Sequence, residues 1–171
     1  WQYSRLKLQL RIDRIDSDSN GNSVIIDYKT GRQQTVDWEA ERQELPQLML
    51  YLQALEQSEN FKPVSALLFA YVNVEKPRYD GIGISNDIHP GIALEGKEDL
   101  LSPDWSSLKR HWAQSLQTLA QEFLDGYLAV APLKKSTCTY CHLDSLCRIG
   151  ELRSSAMNLE FESDETAGDG A

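Results

Sequence analysis

The chain has 171 residues, 41% hydrophobic and 25% charged, which suits one domain with small additions and is enough to bury a core without disulfides. Ordinary glycine, proline and aromatic contents exclude a fibrous or wholly disordered body, and no apolar run reaches the roughly 18 residues that span a bilayer. The formal net charge of −9 gives no support to a generic nucleic-acid coat, although five of the acids fall in the base-free tail from Glu160 to Ala171.

No basic-then-apolar leader opens the chain, and its three cysteines crowd between Cys138 and Cys147. That odd, tight grouping suits a metal or cluster site in a reducing compartment, so a cytoplasmic protein is expected. The first residue is Trp1 rather than Met, as in a processed chain or an excised fragment.

Tyr3 to Asp16 alternates, with Leu6, Leu8, Leu10 and Ile12 on one face and Gln9, Arg11 and Asp13 on the other, which predicts a strand. The turn signal Asp18-Ser-Asn-Gly-Asn22 follows, and Ser23 to Lys29 reads as a second, antiparallel strand. Arg32 to Glu44 is polar and reads as a loop or frayed helix. Pro46 suits a first helical turn, and Leu45, Leu48, Met49, Leu52 and Leu55 form an apolar stripe, giving a mostly buried helix over 46–58. Val64 to Val74 is nearly continuously apolar, as in a central strand, and Tyr79 to Ser85 returns as a shorter one. After a loop over 86–101, Ser102-Pro103-Asp104 marks a helix start, and Trp105, Leu108, Trp112, Leu116, Leu119, Phe123 and Tyr127 step at helical spacing, so a helix is expected over 103–126. The cysteine segment follows, then a tail expected to be disordered from about residue 156.

The first hairpin carries the chemistry. Asp27 and Lys29 are two apart, so on a strand they project from one face, at the end of an apolar run where charge is least expected. If the hairpin centres on Asn20, Asp13 opposes Asp27 on that face. This requires an odd loop, such as three residues with Gly21 left-handed; a two-residue Asn20-Gly21 turn would send Asp13 to the other face. The odd loop is the expectation. Two carboxylates about 4 Å apart repel by about 4 kcal/mol at an effective dielectric near 20, which a proton or a hard divalent cation such as Mg²⁺ or Mn²⁺ relieves. A surface Asp–Lys pair on a half-exposed hairpin accounts for the same spacing. Gln47 and Tyr51, four apart on an otherwise apolar helix, present two polar tips on one face. They are either its wet edge or, beside a metal site, groups that bind a phosphate or a water.

Ile12-Asp13-Arg14-Ile15-Asp16, Ile26-Asp27-Tyr28-Lys29-Thr30-Gly31 and Gln47-Leu-Met-Leu-Tyr51 together resemble the PD-(D/E)XK nuclease superfamily, and within it the nuclease domains of RecB- and AddB-type helicase-nucleases. The resemblance implies that Asp13, Asp27 and the Tyr28 carbonyl bind the metal, that Lys29 is catalytic, and that Gln47 and Tyr51 complete the site. Leu10 stands where the family often has glycine, and the helix that usually precedes the first strand has no counterpart ahead of Trp1.

Cys138, Cys141 and Cys147 stand in the pattern Cys-x2-Cys-x5-Cys, with His142 directly after Cys141. Cys-x-x-Cys-His is also the string of c-type haem attachment, but that needs an exported chain and leaves Cys147 spare. Three thiolates and His142 could hold Zn²⁺, at an awkward spacing for the adjacent Cys141 and His142. Three unligated thiols is the bland reading. With Ala131-Pro132 before it and Leu146-Cys147-Arg148 at its end, the segment resembles the C-terminal arm of AddB-type iron-sulfur nucleases. That resemblance implies that the three cysteines ligate a structural [4Fe–4S] cluster in a parent protein, incomplete here for want of a fourth cysteine, with the sites empty or holding adventitious Zn²⁺.

The expected fold is α/β, a restriction-endonuclease-like mixed sheet flanked by helices. A nuclease domain is expected over 1–155, with its cysteine arm at 133–150, then an acidic tail over 156–171. The expected function is Mg²⁺-dependent hydrolysis of DNA, as an exonuclease in recombination and repair alongside a helicase. Arg11, Arg14, Arg32 and Arg42 are further phosphate contacts or ordinary surface residues. The rival is a catalytically incomplete, cluster-bearing scaffold that binds a helicase partner.

Overall fold

The computed structural model describes residues 1–151 except 4, 32–35, 73–76, 95–99, 128, 134 and 140. The acidic tail and Arg32 therefore lie outside the described residues. The chain divides into two compact units, Trp1–Tyr127 and Leu128–Ala171. Among the described residues no helix is long and apolar enough to cross a membrane.

The first unit is built on a four-stranded mixed sheet. In chain order its elements are β1 (Gln2–Tyr3), β2 (Leu6–Lys7), β3 (Arg14–Ser17), β4 (Ser23–Lys29), α1 (Gln47–Glu56), β5 (Val64–Tyr71), β6 (Arg78–Gly83) and α2 (Trp105–Leu124). The sheet order is β3-β4-β5-β6, while β1 and β2 form a separate small hairpin. β3 pairs antiparallel with β4, β4 parallel with β5, and β5 antiparallel with β6. The parallel β4–β5 pair needs a crossover, and α1 supplies it.

All eight residues of β5 are buried, as a strand paired on both edges and covered on both faces demands. On one face Ile25, Leu67, Phe69, Tyr71 and Ile82 pack with Leu48, Met49, Leu52 and Leu55 of α1 and with Leu108, Trp112 and Leu116 of α2. Each fully buried leucine contributes about 1.5–3 kcal/mol. On the other face Val24, Ile26, Ala66, Leu68 and Ala70 pack with Ile92 and Ile88. Gly81 allows β6 to lie close to β5: a Cβ there would come 2.2 Å from the Leu67 carbonyl oxygen.

The hairpin turn is odd, as expected. Arg14 faces Ile26, Ile15 faces Ile25 and Asp16 faces Val24, so the ladder centres on Asn20. Asp18 and Asn22 close it with a main-chain bond of 2.9 Å, leaving a three-residue loop in which Gly21 has φ +79°.

Three expectations are corrected. The single strand from Tyr3 to Asp16 is instead the β1–β2 hairpin, an unpaired stretch, and β3. The amide of Leu8 bonds the Trp1 carbonyl at 2.8 Å, so the chain folds back on itself before reaching the sheet. The alternation survives in burial, with Leu6, Leu8, Leu10 and Ile12 half-buried and Lys7, Gln9, Arg11 and Asp13 exposed. Second, α2 starts at Trp105 and not at 103, because the Asp104 carboxylate takes the Ser107 amide at 2.7 Å and caps the helix. The Ser102 amide and hydroxyl bond Glu39 instead. Third, the central strand stops at Tyr71, and 73–76 lie outside the described residues.

In the second unit a 3₁₀ turn spans Lys135–Cys138 and a one-turn helix spans Asp144–Cys147. Among the described residues Cys138, Cys141 and Cys147 form no disulfide. Among the described residues no three His, Cys, Asp or Glu side chains gather as a metal-holding group, so the expected cysteine ligand set is not assembled in this structure. Such sets are drawn together by the free energy of metal binding itself, which a short segment of turns does not replace.

Candidate active site

The site lies at the carboxyl end of β4, beside the first turn of α1. Strand alternation places Asp27 on the same face as Ile25, toward α1, and Lys29 follows one step further on. Asp27 is 2% exposed, so its carboxylate has lost nearly all its water. The Lys29 Nζ stands 2.7 Å from Asp27 Oδ2, but out of line for a hydrogen bond, so that buried oxygen has a charge partner and no hydrogen bond. The same ammonium lies 5.3 Å over the Phe69 ring, an electrostatic contact that the register places on β5 directly beside Asp27.

Lys29 donates to Gln47 Oε1 at 3.1 Å, Gln47 Nε2 donates to the Tyr51 hydroxyl at 2.6 Å, and that hydroxyl donates to the Arg11 carbonyl at 2.6 Å. The chain can run in one direction only. An ammonium only donates and a carbonyl only accepts, so the two ends fix the orientation of the Gln47 amide and of the Tyr51 O–H. Tyr51 is 3% exposed, and its single hydrogen is given to main chain, leaving no donor for a phosphate.

Asp13 lies one residue before β3, exposed, and its Oδ2 accepts the Tyr28 amide at 3.0 Å. The ladder explains this bond. Asp18 and Asn22 are a hydrogen-bonded pair, so the alternation runs through 16 and 24, 14 and 26, and next 12 and 28. β3 begins at Arg14, so the Tyr28 amide that would go to residue 12 is taken by the Asp13 carboxylate. The same alternation turns the Tyr28 carbonyl toward this side of β4. The ladder ends at the Arg14–Ile26 pair, so Asp13 lies beyond the paired strand and the expected Asp13–Asp27 pair is not part of it.

Asp13, Asp27, Tyr28, Lys29, Gln47 and Tyr51 thus come together around one strand end. Of the four arginines, Arg14 pairs with Asp16 at 2.7 Å and reaches the Tyr28 hydroxyl at 3.2 Å. Hydrogen bonds to Asp16 and to Tyr28 push its guanidinium above its ordinary value. Arg11 contributes its carbonyl, and Arg42 lines a small cavity with Ser115 and Leu116 of α2. Two participants, the Arg11 carbonyl and Phe69, had no signal in the sequence, since a main-chain acceptor has no residue type and Phe69 reads as core.

The donor set fits a hard divalent cation. Asp27 has a buried oxygen without a hydrogen bond, and Asp13 uses one of its two oxygens on Tyr28. Two carboxylates and a carbonyl, completed by water, are what Mg²⁺ accepts.

The family model of the PD-(D/E)XK nuclease superfamily matches residues 2–148. The chain is 25% identical over 194 residues to the B-type subunit of an ATP-dependent helicase/deoxyribonuclease from Alkaliphilus oremlandii (strain OhILAs), a match covering 84% of this chain and 17% of that protein. The chain therefore spans less than a fifth of that relative's length. No solved structure matches.

Proposed function

The chain belongs to the PD-(D/E)XK nuclease superfamily, whose members use divalent metal ions, and on that premise we propose that it is a Mg²⁺-dependent deoxyribonuclease. The observation that carries this reading is the buried Asp27 oxygen, 2.7 Å from Lys29 and without a hydrogen bond. A carboxylate committed to fold alone has its acceptors filled. Asp27, Asp13 and the Tyr28 carbonyl hold the metal, which when bound supplies an activated water and polarises the phosphate. Lys29 orients the attacking water and steadies the charge that builds on the scissile phosphate. Gln47 Oε1 accepts from the same ammonium at 3.1 Å and helps to hold it.

We further propose an exonuclease acting in recombination and repair beside a helicase; the name of the Alkaliphilus relative, a helicase/deoxyribonuclease subunit, supports the helicase and deoxyribonuclease parts of that reading. Cys138, Cys141 and Cys147 supply three thiolates to a [4Fe–4S] cluster, a role that stabilises the fold and takes no part in hydrolysis. Iron and sulfide analysis of the purified protein tests it.

The experiment on the main proposal is cleavage of end-labelled linear DNA with Mg²⁺ or Mn²⁺. We expect metal-dependent cleavage that falls about 100- to 1,000-fold in Lys29→Ala, the scale for losing one group that meets developing charge. Wild-type protein that neither cleaves DNA nor binds Mn²⁺ would overturn the nuclease reading and favour the scaffold.

A further inference from the structure

Residues 9–13 belong to no strand, lying between the closure of the first hairpin at Leu8 and the start of β3 at Arg14. Yet this stretch carries Asp13. Two hydrogen bonds tie it down: the Tyr51 hydroxyl to the Arg11 carbonyl, and the Asp13 carboxylate to the Tyr28 amide. We propose that Tyr51 is a positioning residue that holds the 9–13 stretch, and through it the Asp13 carboxylate, against the end of β4, and that it makes no contact with substrate.

Three observations argue this through. Tyr51 is buried, and its one hydrogen goes to main chain. Its lone-pair side is occupied by Gln47, which also takes a hydrogen from Lys29, so one chain of like-directed bonds runs from the ammonium to the Arg11 backbone. Bonds in such a chain polarise one another, so the anchoring of the stretch and the placement of Lys29 depend on each other. Finally, the anchored carbonyl is two residues from Asp13, too short a tether for Asp13 to move independently of it. The helix thus adds a second tie, through Gln47 and Tyr51, between Lys29 and the Asp13 stretch, beside the direct bond from the Tyr28 amide to Asp13.

This rests on the metal-site reading for its consequence but not for its first test. Amide exchange measured by NMR on the metal-free protein reads the anchoring directly. We expect the Tyr28 amide, covered by Asp13, to exchange at least tenfold faster in Tyr51→Phe and by a similar factor in Asp13→Ala, while the Leu67 and Leu68 amides in β5 keep their wild-type rates. An unchanged Tyr28 amide in Tyr51→Phe would overturn the proposal, as would loss of protection throughout β5, which would make Tyr51 a general core residue. The second test is Mn²⁺ affinity, expected to fall about tenfold in Tyr51→Phe, within the range for removing an outer-shell partner. The KM for DNA is expected to stay at the wild-type value. A raised KM with unchanged Mn²⁺ affinity would make Tyr51 a substrate contact and overturn the assignment. If the wild type binds no metal, the nuclease reading fails and the exchange result still decides the anchoring.

Discussion

The β3–β4 hairpin carries aspartates at both ends, and they are treated in opposite ways. At the closed end the Asp18 Oδ1 accepts the amides of Asn20 and Asn22 at 2.8 Å each, and its Oδ2 accepts the Asn22 side chain at 3.0 Å. At the open end Asp27 is more deeply buried, yet its Oδ2 has no hydrogen bond. Partial burial works against the Asp18 charge, but the hydrogen bonds from the Asn22 side chain and amide, from Ser65 and from Asn20 outweigh it and hold the carboxyl below its ordinary value. Asp18 is thus spent on the turn, while Asp27 Oδ2 has the Lys29 ammonium at 2.7 Å and no hydrogen bond. An acid whose acceptors are filled locally builds structure; a buried one with an acceptor unfilled is poised for a ligand.

The largest expected effect tests the open end. Asp27→Asn should lower DNA cleavage about 100-fold or more, as for other groups that meet charge developing in the reaction, with the melting temperature unchanged or raised. A variant that lost activity and stability together would place Asp27 with Asp18, as a structural acid. Next is the closed end. Gly21→Ala forces a Cβ into the left-handed region at φ +79° and should cost about 1–2 kcal/mol in urea unfolding. Cleavage by the folded fraction should be untouched, since the register that aims Asp27 is also held by β5. Asp18→Ala should cost about 1 kcal/mol, with kcat again unchanged; a fall in kcat would show that the turn is coupled to the site.

The smallest effect is one of pH. The folded value of Asp18 lies below its unfolded one, so its contribution is complete above the ordinary carboxylate range and disappears as pH falls through the folded value. The stability gap between wild type and Asp18→Ala should therefore be full at about pH 6 and close as pH drops below about 4. A gap that persisted into acid would mean that the turn is held by Asn20 and Gly21 geometry and not by the charge.

Glu39 follows the same rule as Asp18 at another place in the fold. Desolvation raises its carboxyl, but the Ser102 hydroxyl and the amides of Leu101 and Ser102 pull it down further, and it stitches the 101–102 loop to the residue after Trp38. Nothing in the local sequence around Glu39 marks it, because its partners lie over sixty residues away.

Sequence alone determined the elements whose signals are local. The β-branched run of 23–29, the nearly continuous apolar run of β5, the α1 stripe and the turn signal around Gly21 all follow from residue type and φ preference, and strand alternation places Asp27 and Lys29 on one face. The same residues carry the family resemblance that the superfamily match bears out. What only the tertiary structure decided is where the chain stops pairing and what its polar groups then reach. Alternation continues through 9–13 whether or not a neighbouring strand is present, so it could not reveal that β3 begins at Arg14 and leaves Asp13 to bond an amide. Nor could any pattern show that the Tyr51 hydroxyl ends on the Arg11 carbonyl, since every residue carries that acceptor and only packing selects one.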